Sequence, residues 1–126
     1  MQIDSVDLYW VRMPLVRPFR TSFGTQQDRQ IVVLALHSGA VTGWSECVAL
    51  PDPVYSNEYQ EGAVEVLRRY LLPALADKDI HASDVEPALE HIIGHRMAKA
   101  TLETAVLDAE LRQLGLSLSS YLGAVS

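Results

Sequence analysis

The pattern of apolar and polar positions predicts three strands in the first part of the chain. Residues 2–13 alternate between the two kinds of side chain, and residues 30–37 form a largely apolar run rich in β-branched residues. Residues 40–47 follow directly after the turn signal Ser38–Gly39. Alternation indicates a half-buried strand, and a short turn between two apolar runs indicates a hairpin. We therefore expect a three-stranded antiparallel meander.

Two segments flanking these elements carry prolines and show no apolar period. Residues 14–29 contain two prolines and a glycine, and residues 48–56 contain two further prolines. We expect both segments to form long loops. Loops of this length in a compact domain are often functional.

After the second segment the apolar positions change to a period near 3.6, which predicts helices. Ser56 or Asn57 is expected to cap the first helix. Pro73 lies in the last turn of that helix and is expected to bend or fray its end.

A shorter helix and a long one are predicted to follow. Ser83 and Glu86 have the spacing of a capping box, and Gly94 is expected to end the shorter helix. The long helix is predicted from about Arg96 to Leu114. Three strands followed by a helical segment define an α+β fold.

The long helix carries two apolar stripes on nearly opposite sides. At about 100° per residue, the stripes consist of Ala98, Leu102, Ala105 and Ala109, and of Ala100, Leu107, Leu111 and Leu114. The first stripe consists mostly of small side chains, which permit close packing. The second stripe would need a partner outside this domain to cover it. The alternative is that the shorter helix and the strands cover both stripes. Asp108 and Arg112 have the spacing and order that favour a helical ion pair.

Length and composition fit a single globular domain. The chain has 126 residues, of which 48% are hydrophobic and 21% are charged. The net charge of −6 argues against nucleic acid as a partner, because no basic patch can neutralise phosphates. A lone cysteine, Cys47, excludes an internal disulfide and fits a reducing cytoplasm. The acidic N-terminus predicts no signal peptide, and the short apolar runs predict no membrane partner.

The first proline-bearing segment contains residues suited to a small anionic molecule. It places two aromatic rings, a guanidinium and two hydroxyls in succession: Phe19, Arg20, Thr21, Ser22 and Phe23. Such a set can hold a carboxylate against the guanidinium while the rings exclude water. Tyr55, in the second segment, adds an apolar ring with one polar tip. The alternative is that Phe19 and Phe23 only pin the segment to the sheet and that Arg20 is solvated.

Metal binding and nucleophilic catalysis find little support in the residues themselves. The four histidines lack metal-ligand spacing with an acid, since Gly94 is expected to interrupt the helix between His91 and His95. Cys47 is expected to be a buried small hydrophobe, because no neighbouring residue in the sequence offers an activating base.

Four motifs, taken in order, resemble those of a known enzyme family. They are P-L-V-R-P-F-R-T-S-F-G-T, G-W-S-E-C, P-V-Y-S-N-E-Y and G-H-R-M-A-K-A-T-L-E-T-A-V-L-D-A-E-L-R. The last of them resembles the helix signature of the mandelate racemase/muconate lactonising branch of the enolase superfamily. Together they are similar to the N-acylamino acid racemase/o-succinylbenzoate synthase group across the whole chain. Thr101, Tyr121 and Ser45 depart from the family pattern at packing positions.

The resemblance implies an N-terminal capping domain whose (β/α)8 barrel is absent from this chain. Such a barrel needs about 250 residues by itself. Residues 1–95 would form the capping domain, and residues 96–126 would be the helix that leads toward the missing barrel. That barrel is the expected partner of this chain.

The resemblance also implies the chemistry of the whole enzyme. Mg²⁺ or another divalent metal, held by barrel carboxylates, would stabilise an enediolate formed when a lysine removes the proton α to a carboxylate. The outcome would be o-succinylbenzoate for menaquinone biosynthesis or a racemised N-acylamino acid, made by a homo-oligomer. This chain has no Lys-x-Lys motif, and Lys78 and Lys99 are expected to be solvated or structural. We therefore expect no catalytic residue, metal ligand or bound cofactor in this chain, and no activity from it alone.

Matched by position, the resemblance implies substrate contacts in both proline-bearing segments, and these are Phe19, Arg20, Ser22, Phe23 and Tyr55. The substrate would be a small-molecule carboxylate. The alternative function is a free-standing module that dimerises through the second apolar stripe and binds a small ligand in its loops, without enzymatic activity.

Overall fold

A computed structural model describes residues 1–22 and 24–125, so Phe23 and Ser126 lie outside the described residues. The strands are β1 (Ser5–Thr21), β2 (Gly24–Ser38) and β3 (Val41–Cys47). The helices are α1 (Gln60–Val66), a π-helical segment (Leu67–Leu71), α2 (Leu72–Leu75), α3 (Ala82–Leu89), α4 (Arg96–Leu114) and α5 (Leu118–Tyr121). The predicted order of three strands followed by helices is confirmed.

The sheet is an antiparallel meander in the order β1-β2-β3. The apolar run of β2 is central, and its alternate residues Val32, Leu34 and Leu36 are fully buried in the core. Ser38 pairs with Val41, so the two-residue turn is Gly39–Ala40 rather than Ser38–Gly39. The turn falls there because Gly39 has a φ of 56°, a left-handed conformation that glycine adopts without strain.

The prediction of a long loop over residues 14–29 is wrong, since β1 and β2 extend through most of it as a hairpin arm. Their pairing continues outward to Phe19↔Gln26 and Thr21↔Gly24, with a register irregularity between Pro14 and Phe19. Prolines are tolerated because β1 is an edge strand, where a missing N–H need not break the sheet. The conformation of this segment is therefore determined by strand pairing, which joins residues distant in the sequence.

The first helix begins later than its predicted caps. Gln60 is its first residue, and Ser56 forms a turn before it, with its Oγ accepting the Glu58 N–H at 3.1 Å. The predicted disturbance near Pro73 takes the form of the π-helical segment, in which the Leu72 N–H donates to the Leu67 carbonyl. Proline lacks the N–H that would continue the α-helical ladder, and a wider turn accommodates this loss.

The capping box predicted at Ser83 and Glu86 is displaced by two residues. The Asp84 carboxylate accepts the backbone N–H of His81 at 2.8 Å, and α3 starts directly after His81. The helix also ends at Leu89, before the predicted stop at Gly94. The ring of His81 lies 2.7 Å from Glu110 of α4, a tertiary contact that favours the earlier start.

Helix α4 has the predicted bounds and lies across β2 and β3. The small stripe, Ala98, Leu102, Ala105 and Ala109, is fully buried. The second stripe is divided: Leu111 is buried, Leu107 is half-buried, and Leu114 is 70% exposed. The expectation that this whole stripe is uncovered is therefore wrong at Leu111. The division of the chain at residue 95 stays a prediction.

The predicted ion pair on α4 is present and has a second role. Arg112 Nε lies 2.9 Å from Asp108 Oδ2. The same carboxylate oxygen accepts the Trp44 N–H at 2.8 Å, so Asp108 ties the helix to the backbone of β3.

A C-terminal apolar surface remains exposed beyond the core, formed by Leu114, Leu116, Leu118, Tyr121, Leu122 and Val125. Exposed apolar patches favour association, so we expect the isolated chain to bind a hydrophobic dye or to self-associate. Analytical ultracentrifugation and dye fluorescence measure these effects, with the double variant Leu114→Gln/Leu122→Gln as the control that should weaken both. A monodisperse monomer at high concentration without dye binding would contradict this expectation.

Candidate functional site

A groove lies between the hairpin arm and the segment that follows β3. We call it the arm groove; it has a volume of about 440 Å³ and is lined by Phe19, Thr21, Gly24, Thr25, Gln26, Arg29, Val48, Leu50, Val54, Tyr55 and Met97. This volume falls within the range of small-molecule sites, and a mostly apolar lining with few polar groups is typical of them.

The segment of residues 48–59 has no regular secondary structure, and Gln60, which follows it, helps to hold it in place. The Gln60 backbone N–H donates to the Leu50 carbonyl at 2.9 Å, and its side-chain Nε2 donates to the Gln30 carbonyl of β2 at 2.7 Å. Gln60 is buried, with an exposed fraction of 2%. Buried, charge-free hydrogen bonds of this kind fix one backbone segment against another.

Two of the predicted site residues meet in the arm groove. Phe19 from β1 and Tyr55 from the 48–59 segment both line it, and they are 59% and 69% exposed. A small molecule bound in the groove would cover apolar surface of both rings at once. The structure thus brings together one residue from each proline-bearing segment.

The other predicted residues are placed differently. Arg20 and Ser22 are exposed and do not belong to the groove lining, and Phe23 lies outside the described residues. Arg20 is separated from the groove because neighbouring side chains of a strand point to opposite faces, and Phe19 and Thr21 occupy the groove side.

Sequence reasoning missed Arg29, the charged residue among the described lining of the groove. The sequence pattern predicts it at the end of a loop, whereas it lies in β2 with Met13 of β1 as its pairing partner. Only the strand register places it beside the groove. An apolar groove with one guanidinium suits a small molecule that carries an apolar portion and a negative group.

The remaining reactive side chains have structural surroundings. Cys47 is buried at 1% exposure, as predicted. Lys99 Nζ donates to the Ile92 carbonyl, which matches the expected structural role. Thr101 is buried, and the Ser45 hydroxyl donates to its carbonyl at 2.6 Å, so both residues belong to the packing of α4 on β3.

The described residues offer neither a cluster of metal-ligating side chains nor a helix that could span a membrane. Residues 1–22 and 24–125 contain no group of three or more His, Cys, Asp or Glu side chains that could hold a metal ion. Every helix in the same part of the chain is too short or too polar to cross a bilayer.

Comparison with known proteins gives consistent matches over nearly the whole chain. The family model described as "Mandelate racemase / muconate lactonizing enzyme, N-terminal domain" matches residues 5–123. An N-succinylamino acid racemase from Amycolatopsis is 53% identical over 126 residues, covering 99% of this chain and 34% of the relative. An o-succinylbenzoate synthase from Bacillus subtilis is 35% identical, covering 98% of this chain and 34% of the relative.

A solved structure shows the same architecture. An enolase superfamily member from Listeria innocua superposes with a TM-score of 0.93 at 30% identity, covering all of this chain and 34% of that protein. The chain thus spans about a third of the length of the relatives it matches. The predicted enolase N-terminal fold is confirmed, and the chain belongs to the mandelate racemase/muconate lactonizing enzyme family as its N-terminal domain.

Proposed function

We propose that this chain is the substrate-capping and specificity domain of a metal-dependent o-succinylbenzoate synthase/N-acylamino acid racemase-like enzyme. The observation that carries the proposal is the meeting of Phe19 and Tyr55, from separate segments, in one groove with an arginine. The similarity to an N-succinylamino acid racemase and an o-succinylbenzoate synthase supports this substrate class.

In this proposal the cap forms one wall of a site whose reacting groups lie in the barrel. Phe19 and Tyr55 pack against the acyl portion of a small-molecule carboxylate and exclude water from it. Removal of a proton α to a carboxylate benefits from a dry site, because charged interactions strengthen as water leaves. Arg20 contributes positive potential, and Ser22 and Phe23 complete the contact with substrate.

The described residues do not fit the divalent metal expected for such an enzyme. The described residues provide no cluster of three metal-ligating side chains, and the arm groove contains no carboxylate among its lining residues. Carboxylates are the ligands that Mg²⁺ prefers. In the proposal, therefore, Mg²⁺ and the catalytic lysine belong to the barrel, and this chain only shapes and covers the site.

The proposal predicts that the chain is inactive alone and becomes part of an active enzyme when joined to a barrel. The isolated chain should not exchange the α-proton of N-succinylamino acids for deuterium, with or without Mg²⁺. A chimera in which residues 1–126 replace the matching third of the Amycolatopsis racemase should catalyse that exchange. Proton NMR in deuterium oxide measures both, with a no-protein sample as the control. Exchange by the isolated chain, or a folded chimera without activity, would contradict the proposal.

A further inference from the structure

The start of α4 lacks a cap from its own flanking residue. His95 precedes the helix with a φ of 53°, and its side chain makes no capping hydrogen bond. A left-handed conformation is unfavourable for a non-glycine residue, because its Cβ comes too close to the neighbouring carbonyl oxygen. The first N–H groups of a helix have no partner within the helix, so the first turn of α4 needs an acceptor from elsewhere.

Glu58, distant in sequence, supplies this acceptor. Its carboxylate oxygens lie 2.9 and 3.1 Å from the Met97 N–H nitrogen, and one of them lies 3.3 Å from the nitrogen of Ala98. A carboxylate at this position also interacts favourably with the positive end of the helix dipole. The contact therefore combines a helix cap with a charge interaction between two separate segments.

This contact joins two elements that both line the arm groove, the 48–59 segment and α4. Glu58 belongs to the same 48–59 segment as Tyr55 and Val54, both of which line the groove. Met97, whose N–H it holds, lines the groove from α4. Gln60, which directly follows the segment, holds the Leu50 carbonyl at its start and bonds to β2 through its side chain, whereas the described hydrogen bonds between this segment and α4 come from Glu58.

We propose that Glu58 is a positioning residue that docks the 48–59 segment on the N-terminus of α4 and thereby sets the acyl-group preference of the enzyme. This inference rests on the proposed capping function. Glu58 itself does not contact substrate in this scheme; it acts through the placement of Tyr55. Loss of the cap should shift the segment toward an undocked state about tenfold, the usual order for losing a helix cap.

The first part of the test measures docking of the 48–59 segment without any substrate. Amide hydrogen exchange by NMR on the isolated chain should become about tenfold faster in Glu58→Ala, both at Met97 and Ala98 and at the amides of residues 50–57, of which Pro51 and Pro53 have none. Glu58→Gln should show a smaller increase, because its amide oxygen can still accept one N–H. Glu61→Gln is the matched control: it removes the same charge nearby, has no hydrogen bond among the described contacts, and should exchange like the parent.

The second part of the test measures catalysis by the chimera with N-succinyl and N-acetyl amino acids. Glu58→Gln and Glu58→Ala should raise KM for the N-succinyl substrate by up to about tenfold while kcat changes by less than about twofold. A merely structural loss would instead reduce the active fraction and lower kcat for both substrates. Circular dichroism verifies that each variant is folded, and the Gln variant carries the test if the Ala variant is not.

The outcomes separate this inference from the proposed function. Faster exchange confined to Met97 and Ala98, with residues 50–57 unchanged, would overturn the docking role. If Tyr55→Ala changes the preference between acyl groups and the Glu58 variants do not, only the positioning inference fails. If Tyr55→Ala has no effect on that preference, the proposed function fails, and the substrate role of Glu58 fails with it.

Discussion

Replacing Phe19 or Tyr55 by alanine is expected to lower kcat/KM of the chimera for N-succinylamino acids by about 10- to 200-fold. This is the range of roughly 1–3 kcal/mol for losing a good apolar contact in a substrate pocket. Both rings line the arm groove and are more than half exposed without substrate, so binding has much apolar surface to cover. The loss should be larger for N-succinyl than for N-acetyl substrates, because a pocket wall discriminates by size.

Stability measurements distinguish this role from a structural one. Truncating a side chain that is 59% or 69% exposed should change the free energy of unfolding of the isolated chain by less than about 1 kcal/mol. Tyr70→Ala is the matched control, since Tyr70 is 51% exposed and lies outside the groove. A strong fall in melting temperature, with equal loss for all substrates, would identify Phe19 and Tyr55 as pins for the hairpin arm.

Gly43→Ala is expected to be the most destabilising single methyl addition among the glycines described. A Cβ on Gly43 would lie 2.2 Å from the Ala105 carbonyl oxygen and 2.7 Å from the Ala109 nitrogen. These are backbone atoms of α4, so relief requires the helix to move away from the sheet. Alanine should gain about 0.5–1 kcal/mol from reduced chain entropy. Overpacking outweighs this gain, and we expect the free energy of unfolding to fall by about 3 kcal/mol.

Urea denaturation of the isolated chain measures this effect, and Gly39→Ala provides the comparison. A Cβ on Gly39 meets no atom within 4 Å, but its φ of 56° is left-handed. Its substitution should therefore cost only about 1 kcal/mol, from backbone strain alone. If the two variants lose equal stability, close approach of α4 is not what requires glycine at position 43.

The sequence pattern alone was sufficient to predict those elements that are marked by their own apolar period or turn residues. The apolar run of β2, the hairpin and the bounds of α4 follow from residue periodicity and turn residues, and the structure confirms them. The small stripe of α4 also predicted close packing, which the contact of Gly43 with Ala105 and Ala109 bears out. These features depend on which residues share a face, and sequence spacing decides that directly.

The candidate site was predictable only in part. Phe19 and Tyr55 were named from composition and family resemblance, and the structure places them in one groove. Arg29 was missed, and Arg20 lies outside the groove lining, because the register of the hairpin arm determines which of the two arginines faces it.

The sequence by itself determined the α+β order of elements, the buried run of β2 and the long helix, because these depend on local period and burial. Tertiary structure alone decided that residues 14–29 form an arm, that Leu111 is buried, and that Glu58 caps α4. Each of these depends on a partner distant in the chain. A strand, a covered stripe and a helix cap are completed by groups whose position no local pattern specifies.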